Sequence, residues 1–147
     1  MKISSIVCVL ACSSTVLFAH APTKSRTHDC TLGARAARAG QIDRALLEWR
    51  VIAADNSQKS WAQASSNCLK SAGIAKTDEA VFKWFGHAVN AKSRYALVPL
   101  ALMYISGIGV DADIGRGRSL LSDASRQGDE AAEFLLIKLA EYTEPPR

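Results

Sequence analysis

Five pairs of residues in this chain recur at one spacing. Trp49 and Trp84 are 35 apart, and so are Asp43 and Asp78, Ala45 and Ala80, Ala53 and Ala88, and Asp78 and Asp113. One such coincidence means little, but five at one spacing argue for stacked units of about 35 residues. A unit of that size cannot bury its apolar face alone. Several must stack so that each covers its neighbour, and about three are needed for stability.

The units read as helix pairs. In 78–88 an acidic start, Asp78-Glu79, precedes apolar residues three and four apart. The same reading predicts helices over 27–39, 41–54, 60–72, 95–105, 113–126 and 130–141. Gly40, Gly73, Gln127-Gly128 and the turn Gly107-Ile108-Gly109-Val110 separate them, and Pro145-Pro146 ends the last. No segment alternates apolar and polar residues for long enough to suggest a sheet. Hydrophobic residues make up 48% and aromatics only 7%, so the core must come largely from Ala, Leu, Val and Ile. That favours close-packed helices over a strand sandwich. The fold class expected is all-α.

Residues 96–132 carry a more specific pattern. Ala96, Leu100-Ala101, Tyr104, Gly107-Ile-Gly109-Val110 and Asp113 are followed by Leu120-Leu121, Ala124, Gly128 and Ala132. This run resembles the Sel1-like repeat, a TPR-like family. The likeness is fair over 77–96 and weak before 76, where Trp49 and Ala53 fit but the glycine turn is degenerate. It spans about 100 residues, with the clearest repeats at about 77–112 and 113–141. Departures are Gly117 for the usual Ala, Ala101 for the usual Gly, Lys92 at the usual turn Gly, and Pro99 inside a helix. The resemblance implies a right-handed superhelical stack of antiparallel helix pairs, an α/α solenoid. It also implies protein–protein adaptor work: scaffolding, signalling control, or neutralising a partner such as a toxin. Some secreted members of the family are linked to β-lactam compounds. The alternative is therefore a binder of small ligands or cell-wall fragments with weak hydrolytic activity. Those members usually carry a disulfide in each repeat, whereas the two clearest repeats here hold no cysteine.

The first 21 residues read as a secretory signal peptide: Lys2, an apolar run from Ile6 to Phe18, then Ala19-His20-Ala21 as an A-x-A site. A competing reading takes Val9-Leu10-Ala11-Cys12 as a lipobox with Cys12 lipid-bearing. Cleavage after Ala21 leaves residues 22–147 as a repeat domain with no second apolar run of membrane-spanning length. The expected location is periplasmic or secreted. Loss of Lys2 lowers the net charge from +4 to +3, too weak to argue for nucleic acid. Cys8 and Cys12 leave with that segment, so Cys30 and Cys68 remain as the pair expected to form a disulfide, with two free thiols as the alternative. A metal site using His28, Cys30, Cys68 and His87 matches no zinc spacing.

Catalytic patterns are sparse. The chain has no G-x-S-x-G, H-E-x-x-H or S-x-x-K. A nucleophilic pair of His28 with Cys30 would need a free thiolate. Gly107-Ile-Gly109 follows no strand, so a phosphate loop is a poor reading. Trp49 and Trp84 recur beside Ala and read as core anchors, and His87 as a surface residue. The sequence points away from an enzyme and requires no cofactor or metal.

What remains is a face. On the helix around Leu100, the repeat assigns Ala96, Leu100 and Tyr104 to the core. Tyr95, Val98, Leu102 and Ile105 then fall on the far side at about 100° per residue. A surface helix should be polar there. Either neighbouring helices or the tail cover these residues, or they line a partner groove. One period back lie Gln63, Asn67 and Lys70, and one further Thr31 and Arg35. The groove expected is basic and polar at Arg35, Asn67 and Lys70 and apolar at Tyr95, Val98, Leu102 and Ile105. Its partner would be another protein of the cell envelope, held by a monomer.

Overall fold

The computed structural model describes residues 30–55 and 61–143. The leader reading of 1–21, Cys12, His28 and Pro145-Pro146 lie outside the described residues. Within them the chain is all-helical: α1 (Thr31–Arg38), α2 (Ile42–Asp55), α3 (Trp61–Ser71), α4 (Asp78–Asn90), a 3-10 turn (Arg94–Ala96), α5 (Leu97–Ser106), α6 (Ile114–Arg126) and α7 (Glu130–Thr143). No strand occurs among the described residues, and no described helix is long and apolar enough to cross a membrane.

Local chemistry accounts for most boundaries. The Thr77 hydroxyl accepts from the Ala80 N–H at 3.2 Å and starts α4; the Asp113 carboxylate accepts from the Arg116 N–H at 2.8 Å and starts α6. Asp129 does the same for α7, accepting from Ala131 and Ala132 at 3.0 and 3.3 Å. Lys83 bonds Glu79 at 2.7 Å, and that hydrogen bond and charge hold the Glu79 carboxyl below its ordinary range. Pro99 proves harmless. It is the third residue of α5, where its missing N–H would have had no helical partner. The departure at Lys92 keeps the geometry its usual glycine would supply: Lys92 has φ +67°, in the left-handed region after α4.

Packing follows the chain in sequence, α1 on α2, α2 on α3, α5 on α6 and α6 on α7, while α3 also touches α1, α4 and α5. The buried centre includes Leu46, Trp49, Leu69, Val81, Phe85 and Leu121. Trp49 of α2 and Trp84 of α4, 35 residues apart in sequence, meet with ring centroids 5.9 Å apart. Trp49 is fully buried and Trp84 half-buried.

Close approaches at Gly109 and Gly117 depend on glycine. Gly109 has φ +72°, and a Cβ there would lie 2.3 Å from the Asp78 carbonyl oxygen, so the turn after α5 rests directly on the start of α4. A Cβ on Gly117 would lie 2.5 Å from Ile105 Cγ1 and 2.9 Å from the Ala101 carbonyl oxygen. Ala101 and Gly117, two departures from the repeat pattern, therefore face each other across the α5–α6 contact.

Polar links tie distant parts together. Arg50 grips Asp129 through two hydrogen bonds of 3.1 and 3.3 Å, joining α2 to the start of α7. The Ser93 hydroxyl donates to the Asp43 carboxylate, joining the turn after α4 to the start of α2. The sulfurs of Cys30 and Cys68 are 1.97 Å apart, a disulfide joining the start of α1 to α3. Both thiols are consumed by that bond, which removes the thiolates that the metal and nucleophile readings required.

Candidate partner-binding face

The face expected to bind a partner is built by α1, α3 and α5. At about 100° per residue, Gln63, Asn67 and Lys70 line one strip of α3. Gln63 and Asn67 are exposed and Lys70 is half-buried. Gln63 Nε2 donates to Asn67 Oδ1 at 3.2 Å, and Lys70 Nζ donates to Asp78 Oδ1 at 2.5 Å. A surface hollow lies on either side of this strip.

The hollow between α1 and α3 has a volume of about 430 Å³. Ala34 and Ala72 supply apolar surface, Cys30 of the disulfide borders it, and Arg35 and Arg38 stand at its edge. Arg38 Nη2 donates to the Ala72 carbonyl oxygen at 2.5 Å. Arg35 is exposed, and its side chain has no hydrogen bond or ion pair among the described residues. α1 has no acidic residue in its first turn and carries both arginines in its last. This end of the face is therefore positive, with its charge directed to solvent.

The hollow between α3 and α5 is smaller, about 70 Å³, and is lined by Ala62, Gln63, Ser66, Leu102, Ser106 and Ile108 among others. Leu102 is half-buried, and Ile108 is 37% exposed.

Three of the four residues expected at the apolar end are placed elsewhere. Val98 is fully buried and presents no surface. Ile105 is half-buried against Gly117 of α6. Tyr95 lies in the 3-10 turn, beside a separate hollow of about 160 Å³ that Arg50, Gln127 and Asp129 also line. There the Arg94 guanidinium stands 4.9 Å from the Tyr95 ring centroid and donates to its hydroxyl at 2.8 Å. That bond, reinforced by Asp43 and Asp129, raises the Arg94 pKa further above its ordinary value. Helices α6, α4 and α3 all pack on α5, so its sides meet other helices, and Leu102 is the one of these four residues that borders the hollow between α3 and α5. Arg35, Asn67, Lys70 and Leu102 are thus brought to one face, and Tyr95, Val98 and Ile105 are not.

Arg38 and Ile108 belong to this face and were missed by sequence reading. A signal existed for Arg38, which follows Arg35 by three residues and so shares its side of α1. Ile108 sits in the glycine turn, where helical periodicity says nothing.

Comparison with protein-family models, with curated proteins and with solved structures found no match.

Proposed function

We propose that this chain is an exported protein–protein interaction adaptor of the Sel1-like type, binding a segment of a partner protein along the face of α1, α3 and α5. The carrying observation is the order of side chains across that face. Arg35 and Arg38, neither ion-paired among the described residues, stand at one edge, polar Asn67 and Lys70 in the middle, and Leu102 with Ile108 at the other. Such a gradient gives a bound segment both an apolar anchor and a direction. The solenoid reading draws support from the Trp49–Trp84 contact at one repeat and from the left-handed backbone at Lys92. It gains further support from the facing pair Ala101 and Gly117, where α6 carries the small residue that the repeat pattern assigns to α5. The Cys30–Cys68 bond suits the oxidising compartment that an A-x-A leader implies. The small-ligand reading has no support at Leu102, where a hollow of about 70 Å³ is well below the size of ordinary ligand pockets; the hollow of about 430 Å³ between α1 and α3 falls within that range and is where such a ligand would have to bind.

The test is retention of partner protein from an envelope extract by wild type, Leu102→Asp and Lys70→Glu. Both variants should keep their helical circular dichroism. Half-burial limits the Leu102→Asp cost to about 1–2 kcal/mol. Retention lost in both folded variants supports the reading, and retention unchanged in both refutes it.

A further inference from the structure

The outer face of α7 is apolar at its centre and acidic around it. Phe134 is 59% exposed, Ile137 54% and Tyr142 88%. At helical spacing Glu130, Phe134, Ile137 and Glu141 form one stripe, with Glu133 and Lys138 beside it. This face has a covered counterpart. A step of 36 residues relates the fully buried Ala96 and Ala132, and the same step takes Ala101 to Ile137 and Ile105 to Glu141. Ala101 and Ile105 are the α5 positions that α6 covers at Gly117. Among the described residues, nothing covers the equivalent positions of α7.

The basic hollow offers the complementary surface. It joins a floor of Ala34 and Ala72 to Arg35 and Arg38, and Leu32 of the same helix is 49% exposed. Two arginines meet a stripe whose three glutamates and one lysine leave a net charge of −2.

We infer that two copies of this chain associate head to tail, with Phe134 of α7 in one copy seated in the hollow between α1 and α3 of the other. Glu130, Glu133 and Glu141 then face Arg35 and Arg38, and the apolar centre meets the apolar floor. Charge favours this contact over the symmetric alternative. A two-fold pairing of α7 with itself, centred between Phe134 and Ile137, sets Glu133 of one copy against Lys138 of the other but also Glu130 against Glu141, so it gains no net attraction, whereas the arginines of α1 meet a face of net negative charge. A head-to-tail contact uses two different surfaces, so it extends into open chains or closes into rings rather than stopping at a two-fold dimer. The inference rests on the reading of the α1–α3–α5 face as a docking surface and names an occupant for its basic end. It departs from the monomer expected from sequence, because exposure of Phe134 and Ile137 is a property of the packed molecule.

Sedimentation velocity of the purified protein across a thousandfold concentration range tests it, at low and at 0.5 M salt. The mass average should rise with concentration and fall with salt, since the charges are exposed. Arg35→Glu with Arg38→Glu, and separately Glu130→Lys with Glu141→Lys, should each weaken association about tenfold or more while keeping helical circular dichroism. Mixing the two charge-reversed proteins should restore it, because opposite charges again meet at every contact. A wild type that stays monomeric at every concentration overturns the inference. So does association that Phe134→Asp abolishes and the arginine variant leaves unchanged, which is the signature of α7 pairing with itself. The docking reading is judged separately: a foreign protein retained by wild type and lost with Arg35→Glu and Arg38→Glu, in a chain that is itself monomeric, upholds that reading and overturns this one.

Discussion

Small residues control this molecule at the scale of single side chains, and three glycine-like positions behave differently. Lys92 holds a left-handed backbone at φ +67° that costs an L side chain about 1–2 kcal/mol, partly offset by the freedom a glycine would lose on folding. Lys92→Gly should therefore raise stability by about 1 kcal/mol in urea titration. Gly117 is the opposite case. Its missing Cβ makes room for Ile105 and the Ala101 carbonyl, so Gly117→Ala should cost about 1–3 kcal/mol by forcing α5 and α6 apart. Gly86, inside α4, has nothing within 4 Å of the place a Cβ would occupy, and Gly86→Ala should stabilise by about 0.5–1 kcal/mol through helix propensity alone. Opposite signs for these two glycine-to-alanine changes in the same titration would confirm that the α5–α6 approach is the constraint. Ser65 adds a fourth position: its hydroxyl is fully buried with no hydrogen-bond partner among the described residues, so Ser65→Ala should be neutral or stabilising.

At the scale of elements, the start of α7 carries two roles on one side chain. Asp129 caps the helix and also receives both Arg50 bonds from α2, with only 11% of its side chain exposed. Asp129→Asn keeps an oxygen for the cap but loses the charged pair, and should cost about 1 kcal/mol. Asp129→Ala loses both and should cost about 2–3 kcal/mol. Equal losses in thermal unfolding would mean that the pair, rather than the cap, holds α7. The first helix is the weakest element on local grounds. α1 has eight residues, no side-chain cap, and less than the length an isolated helix needs. Gly33 lets it lie against the Trp49 indole, since a Cβ there would come 2.2 Å from Nε1.

For the whole molecule, the Cys30–Cys68 bond secures that weak first helix to α3. It closes a loop with a sequence separation of 38, worth about 4 kcal/mol in the chain-entropy description. Reduction should lower stability by up to that amount. Hydrogen exchange should show α1 losing protection first, with α5 and α6 changed least, because α1 is short and the α5–α6 contact is among the closest in the fold. Uniform loss of protection in every helix would show instead that the fold opens as one unit. Because Cys30 borders the basic hollow, the same reduction should also weaken whatever docks at Arg35 and Arg38.

Helix number, order and nearly every boundary were legible in the sequence, because they depend on neighbours three and four residues apart and on local caps and turns. Even the oddities at Lys92 and Pro99 resolved within one helical turn. The pairing of Cys30 with Cys68 was legible by elimination. The binding face was legible only in part. Arg35, Asn67, Lys70 and Leu102 share it, but Val98, Ile105 and Tyr95 are buried, covered by α6 or turned to another hollow. Periodicity can say which residues of α5 share a side. It cannot say which side meets another helix, since that depends on Gly117, which contacts Ile105 only after the chain has folded back. Sequence alone determined an all-helical chain and the pairing of its two cysteines at 30 and 68. Tertiary structure decided which apolar side chains stay exposed, because exposure is set by residues far apart in the chain and close in space.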